Sequence, residues 1–175
     1  MGALPAFNGW RGRAIFGAPH EDIAMTDPLH LDQQLCFPLY AASNLMTRLY
    51  RPLLGALGLT YPQYLVMLAL WEHAPRSVGD LGRALYLDSG TLTPLLKRME
   101  SQGLLRRQRA ADDERRVDIT LTDSGLALRN QAEAIPGALA CQLQLEHAAL
   151  PALRTQLQQL LAALAPTDSR KKHEH

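Results

Sequence analysis

Two cysteines in 175 residues are too few for a disulfide scaffold, and no apolar run approaches the roughly 18 residues that span a bilayer. The N-terminus lacks a charged region followed by an apolar stretch and a cleavage site, so a cytoplasmic location without a membrane partner is expected. There the thiols stay reduced unless oxidation is itself the signal. The formal net charge of +1 argues against a chain that coats polyanions everywhere, so any nucleic-acid binding must come from a local patch. Solenoid repeats are absent.

Such a patch is present. Between Lys97 and Arg116, seven basic side chains (Lys97, Arg98, Arg106, Arg107, Arg109, Arg115, Arg116) face four acidic ones (Glu100, Asp112, Asp113, Glu114). The surrounding stretch, Ser77 to Thr122, reads as two short helices followed by a basic β-hairpin. That order is the winged helix-turn-helix plan, with one helix for the major groove and one hairpin tip for the minor. The fold class expected is therefore mainly α with a small β-hairpin wing.

Periodicity supplies the remaining elements. Residues 1–28 have no periodic pattern and are expected to be a disordered extension, residues 29–166 the folded domain, and residues 167–175 a flexible tail. A first helix is expected from Leu31 to Leu57, and Thr60 can cap a second, with Pro62 in its first turn. Ser77 and Asp80 approximate a capping box before a short helix, and Asp88 or Ser89 opens the next. Strands are expected at Leu104–Arg109 and Arg116–Leu121. One long helix from Asp123 to about Glu146 should kink at Pro136–Gly137, and a last helix should run from about Ala148 to Leu164. The first helix and the last two carry more apolar surface than so small a basic module can cover. A homodimer built from the termini would bury it and set two reading helices one DNA turn apart.

In the candidate reading helix, Leu92, Leu95, Leu96 and Met99 share one face and leave Ser89, Thr91, Thr93, Lys97 and Arg98 on the other. Lys97 and Arg98 can donate to phosphates or guanine edges, and the hydroxyls can reach phosphate oxygens or pack a thymine methyl. In the hairpin, the Asp113 carboxylate could hold the Arg115 guanidinium extended for a narrow minor groove, an ordinary surface ion pair being the competing view. The partner implied is double-stranded DNA with an inverted-repeat operator.

Cys36 lies near the start of the first helix, where the dipole favours an anion, and the thiolate is the form that attacks a peroxide oxygen. Tyr40 follows one turn later, while Tyr50 and Tyr61 fall toward the same end of the domain. Phenol hydroxyls can stabilise a thiolate or sulfenate. Spacing alone favours a buried inert cysteine among core tyrosines over a reactive one.

Four blocks bring in a family. LDQQLCFPLY (Leu31–Tyr40), TYPQYLVMLALWE (Thr60–Glu72), LYLDSGTLTPLLKRME (Leu85–Glu100) and DDERRVDITLT (Asp112–Thr122) stand in order within Leu31–Pro166. This stretch resembles the MarR family, and within it the organic-hydroperoxide-sensing repressors called OhrR. The resemblance implies that Cys36 is the peroxide sensor, and that Tyr50 and Tyr61 hydrogen-bond its thiolate from the opposite subunit with Tyr40 nearby. It also implies that Cys141 captures the oxidised sulfur as a disulfide between subunits, the two-cysteine kind of sensor. The N-terminal extension and the tail SRKKHEH depart from the shared pattern.

Three rivals remain. A thiol peroxidase would consume hydroperoxide through Cys36, but no CxxC motif accompanies it and catalysis would not need a wing, so no enzyme activity and no catalytic residues are expected. A metal-responsive regulator could use His30, His73, His147, His173 and His175. None has zinc-site spacing apart from the His173-Glu174-His175 tail, so neither metal nor cofactor is expected. A MarR-type repressor answering a small phenolic or other ligand would carry the same DNA-binding half.

Overall fold

The structure is a computed structural model that describes residues 27–110, 113, 115–143 and 148–165. The expected N-terminal extension lies outside the described residues except for Asp27 and Pro28, which enter a turn closed by the His30 N–H on the Asp27 carbonyl. The expected tail lies outside them as well.

A boundary between two compact units falls between Ala41 and Ala42. In the first unit a 3-10 turn covers Leu31–Gln33, Gln34 is extended, and α1 (Cys36–Gly55) begins only at the cysteine. The helix expected from Leu31 is thus shorter at its start. Pro38 explains this, because in a helix reaching back to Leu31 its ring would clash with the carbonyl four residues earlier, whereas in a first turn it is tolerated.

The second unit holds the core. Helix α2 (Tyr61–Glu72) starts at Thr60, α3 (Val78–Leu85) at Ser77 and α4 (Ser89–Ser101) at Asp88, all three N-caps as the sequence led one to expect. Ser77 Oγ accepts the Asp80 N–H at 3.0 Å, and the Asp88 carboxylate accepts the Thr91 N–H at 2.8 Å. Helix α4 runs from Ser89, so Pro94 sits inside it. Strand β1 (Arg76–Ser77), which sequence reading missed because two residues carry no alternation, pairs with β3 (Val117–Leu121). Strand β2 (Leu105–Arg109) pairs antiparallel with the other edge of β3, giving the order β1-β3-β2. Leu54, Met67, Leu70, Leu81, Leu92, Leu96, Met99, Leu105 and Ile119 are fully buried where α2, α3, α4 and the sheet converge.

The long helix expected after Thr122 is two helices. Helix α5 (Asp123–Ala132) stops before Pro136, and α6 (Ile135–Gln142) restarts with that proline in its first turn. The proline takes away one ladder donor and crowds the Ala132 carbonyl, so the expected kink becomes a break. Helix α7 (Ala149–Leu164) follows, with no buried residue.

The start of α5 is set by close approach. Thr122 Oγ1 donates to the Gly103 carbonyl at 2.6 Å and accepts the Gly125 N–H at 3.1 Å, and the Gly125 carbonyl accepts the Trp71 indole N–H at 2.9 Å. A Cβ at Gly125 would lie 2.1 Å from the Leu104 carbonyl oxygen, inside any tolerable contact. Gly125→Ala should therefore lower stability by about 1–3 kcal/mol through overpacking. Gly137→Ala, where an added Cβ meets nothing within 4 Å, should be neutral or gain up to about 1 kcal/mol of helix propensity. Urea midpoints at one fixed protein concentration check both, and equal midpoints for the two variants would refute the packing argument.

Candidate nucleic-acid interface and thiol site

Burial of Leu92, Leu95, Leu96 and Met99 fixes the rotation of α4. At 100° per residue these four occupy one arc, and Ser89, Thr91, Lys97 and Arg98 are exposed on the complementary one, with Thr93 half-buried at its edge. The sequence-predicted reading face is therefore assembled on one side of one helix. The Thr91 hydroxyl is the exception in availability. It donates to Asp88 Oδ2 at 2.9 Å, so the cap already uses its proton. Its backbone and side-chain hydrogen bonds to Asp88 hold that carboxyl below the usual carboxylate range, which stabilises the start of the helix at neutral pH.

The wing is tied to this helix. Glu100 accepts the Arg107 N–H at 2.9 Å and lies 3.7 Å from its guanidinium, joining the last turn of α4 to β2. Arg106, Gln108 and Arg109 are exposed on β2. Arg116 pairs with Asp118 at 3.2 Å. No ion pair among the described residues engages Lys97, Arg98, Arg106, Arg109 or Arg115. At the tip, Asp113 accepts the backbone N–H of Arg115 at 3.0 Å rather than its guanidinium. This differs from the expectation, because an Asp two residues before an amide in a tight turn reaches that amide first. The carboxylate shapes the turn, and Arg115 is exposed.

The thiol site divides between the two units. Cys36 and Tyr40 lie in the first, both exposed, and Tyr50, Tyr61 and Cys141 lie in the second. In the single chain Cys36 is a free and exposed thiol. It is the first residue of a 20-residue helix. The donors at this end are few: Pro38 has no N–H, and the Phe37 N–H is spent on the Gln34 carbonyl at 3.3 Å. The helix offers an anion its dipole more than free N–H groups. Cys141, on α6 opposite buried Ile135 and Leu139, is also an exposed free thiol.

Tyr50 and Tyr61 do come together, with ring centroids 4.7 Å apart, and a third ring that sequence reading missed completes the cluster. Tyr64, one turn beyond Tyr61, lies 5.7 Å from Tyr50. The three-residue spacing from Tyr61 was the available signal. Burial pushes the Tyr50 phenol up to about 12, with smaller contributions from Tyr61 and Tyr64, and burial raises the other two as well. All three stay protonated and able to donate at neutral pH. Beneath them, the Gln63 carboxamide oxygen accepts the Thr60 N–H at 2.8 Å and hydroxyl at 3.1 Å, while its nitrogen donates to Gln102 Oε1 at 2.9 Å. This buried amide joins the start of α2 to the end of α4. Among the described residues, no group of three His, Cys, Asp or Glu side chains could hold a metal ion, and no helix is long and apolar enough to cross a membrane.

Comparison with known proteins places these features. A family profile described as transcriptional regulator SarA/Rot matches residues 48–131. The organic hydroperoxide resistance transcriptional regulator of Bacillus subtilis is 56% identical over 113 residues, which are 65% of this chain and 77% of that protein. The solved structures that match include two informative states of AbfR, a Staphylococcus epidermidis protein. One is reduced AbfR bound to DNA, with TM-score 0.62 and 42% identity over 77% of this chain and 95% of that one. The other is disulfide-formed AbfR, with TM-score 0.54 and 39% identity over 75% of this chain and 92% of that one.

The tyrosine cluster makes stability pH-dependent in the alkaline range. With the folded Tyr50 near 12 and an unfolded phenol near 10, the native state holds a proton that the unfolded state has lost. Its contribution is fully present below pH 10 and disappears as pH rises through 12. Urea midpoints measured from pH 9 to 12 should fall across that window, and Tyr50→Phe should flatten the fall. A variant that loses stability as steeply as the parent would show that Tyr50 does not carry the shift.

Proposed function

The chain belongs to the MarR family of winged-helix transcriptional regulators, among the organic hydroperoxide regulators, and we propose that it is a repressor switched by oxidation of Cys36. The observation that carries this reading is an exposed thiol at the first position of α1 in a chain 56% identical to an organic hydroperoxide resistance regulator. As a reduced homodimer it binds an inverted-repeat operator in the cytoplasm. The face of α4 bearing Ser89, Thr91, Thr93, Lys97 and Arg98 occupies the major groove, and Arg115, on a turn shaped by Asp113, enters the minor groove.

Two-fold pairing is supported by the surface of the chain. Leu153, Leu157, Leu161 and Leu164 recur along α7, and they and Leu45 on α1 are each more than 40% exposed, leucines that a single chain leaves in water. In the dimer, Tyr50 and Tyr61 of the partner subunit donate hydrogen bonds to the Cys36 thiolate, with Tyr40 nearby.

The switch is a two-step sulfur oxidation. The Cys36 thiolate attacks one peroxide oxygen, the O–O bond breaks, and the leaving alkoxide takes a proton to depart as an alcohol, leaving a sulfenic acid. The thiolate of Cys141 of the partner subunit then attacks the Cys36 sulfur, the S–O bond breaks, and the departing hydroxide takes a proton from solvent to leave as water. Bridging α1 to α6 of the partner subunit moves the helices that set the spacing of the reading heads. A shift of a few Å then spoils simultaneous contact with both half-sites. AbfR, solved both reduced on DNA and with its disulfide formed, is a relative in which both states exist.

Fluorescence anisotropy with an operator duplex, before and after cumene hydroperoxide, tests the chemistry. Cys36→Ser should bind as the parent does and ignore oxidant. Cys141→Ser should form the sulfenic acid, give no covalent dimer on non-reducing electrophoresis, and over-oxidise more readily. A Cys36–Cys36 crosslink, or a Cys36–Cys141 bridge within one subunit by mass spectrometry of mixed-isotope dimers, would sink the mechanism. For the wing, Arg115→Ala should weaken operator binding about tenfold and lower the salt slope by about one per subunit. Unchanged affinity at equal ionic strength would remove Arg115 from the interface.

A further inference from the structure

The turn between α3 and α4 holds a residue that its backbone disfavours. Tyr86 sits at φ 53, ψ 39, in the left-handed region, just beyond α3. Its N–H donates to the Arg83 carbonyl at 3.4 Å, and the next residue's N–H, that of Leu87, donates to the Gly82 carbonyl at 2.9 Å. This pair of bonds is the Schellman ending of a helix, whose left-handed position is ordinarily glycine or asparagine because any other side chain crowds the carbonyl there.

Among the described residues, no hydrogen bond or aromatic contact of the side chain offsets that strain. The Tyr86 side chain is 62% exposed. A glycine would close the same turn without the strain and without placing an aromatic ring in water. The reason for a tyrosine therefore lies outside the chain.

Its surroundings identify what it meets. Tyr86 lies two residues before Asp88, the N-cap of α4, and shares an open groove with Arg83 and Ser89. Arg83 is exposed and paired with Asp80, so its guanidinium is held in place on the α3 side of the groove. A helix that enters the major groove by its N-terminal end brings the preceding turn to the groove edge, where the phosphates run. We propose that the Tyr86 phenol donates a hydrogen bond to an operator backbone phosphate, beside Arg83, and so sets the depth at which α4 seats. Tyr86 is then a positioning residue for DNA binding, sequence-neutral in itself. This rests on α4 being the reading helix, as proposed above.

The test uses the reduced full-length protein with two duplexes of equal length, an inverted repeat selected on the parent from a random-sequence pool and its scrambled counterpart. Tyr86→Phe removes only the hydroxyl and should weaken binding to both duplexes by five- to tenfold. The slope of log Kd against log salt should stay unchanged, because a neutral phenol releases no counterion. Tyr86→Gly should weaken binding at least as much while its urea midpoint stays level or rises, since the left-handed position is relieved of its side chain. Binding by Tyr86→Phe within twofold of the parent would overturn the proposal. So would a loss confined to the selected duplex, which is base reading, or a lower midpoint for Tyr86→Gly, which is a structural role. Lys97→Ala and Arg98→Ala separate the two levels: if they too leave affinity untouched, the reading helix itself is wrongly assigned, and if they weaken binding while Tyr86→Phe does not, only the phosphate contact is.

Discussion

The rotation of α4 about its own axis is the constraint on which the rest depends. Leu92, Leu95, Leu96 and Met99 each leave water almost completely, and burial of such side chains stabilises by about 1.5–3 kcal/mol apiece. Rolling the helix by a third of a turn would expose them and bury Lys97 and Arg98 without partners, a far larger penalty than any single contact with DNA could offset. Hydrophobic burial thus determines which side chains face outward, and the hydrogen bonds at the two ends of the helix only refine its position. Asp88 closes one end, while Glu100 and Gln102 tie the other to the wing and to α2.

Under the proposed function, those ties would join the sensing site to the reading helix. The N-terminus of α2 carries Tyr61, packed on Tyr50, and two residues later Gln63 reaches Gln102 at the end of α4. A buried carboxamide is costly unless all its polar atoms are paired, and here both ends are used. Displacement at the tyrosines therefore has a short, stiff route to the reading helix through an element that cannot slide without leaving an amide unsatisfied. The exposed leucines of α7 give the complementary constraint: a family of regulators that acts through two reading heads needs a second copy, and this chain has an uncovered apolar row with which to hold one.

Much of this was legible in the residues. Periodicity located α2, α3 and α4, the capping residues Thr60, Ser77 and Asp88 marked where they begin, and alternation with charge marked β2 and β3. These are local signals, each carried by a few neighbouring side chains and needing no knowledge of the remainder of the chain. The family could be read from four ordered blocks for the same reason. Pro38 and Pro136 were visible too, but what each would do depended on the chain on either side: both sit in the first turn of a helix, α1 and α6, and only α5 stops just before one of them.

What only the tertiary structure decided involves partners distant in sequence or backbone states that no side chain advertises. Two residues at Arg76–Ser77 become a strand because β3 presents a free edge to them. Tyr64 joins Tyr50 because α1 and α2 pack together, and burial then raises their phenols. Asp113 turns to the Arg115 backbone rather than its guanidinium, and Tyr86 takes a left-handed conformation that its residue type argues against. The sequence by itself determined which faces are apolar, where helices can start and which thiols are present, since those follow from side-chain chemistry at short range. Where the rings finally point was decided by packing between α1 and α2, while Asp113 and Tyr86 were settled by hydrogen bonds to near neighbours that exist only once their turns are folded.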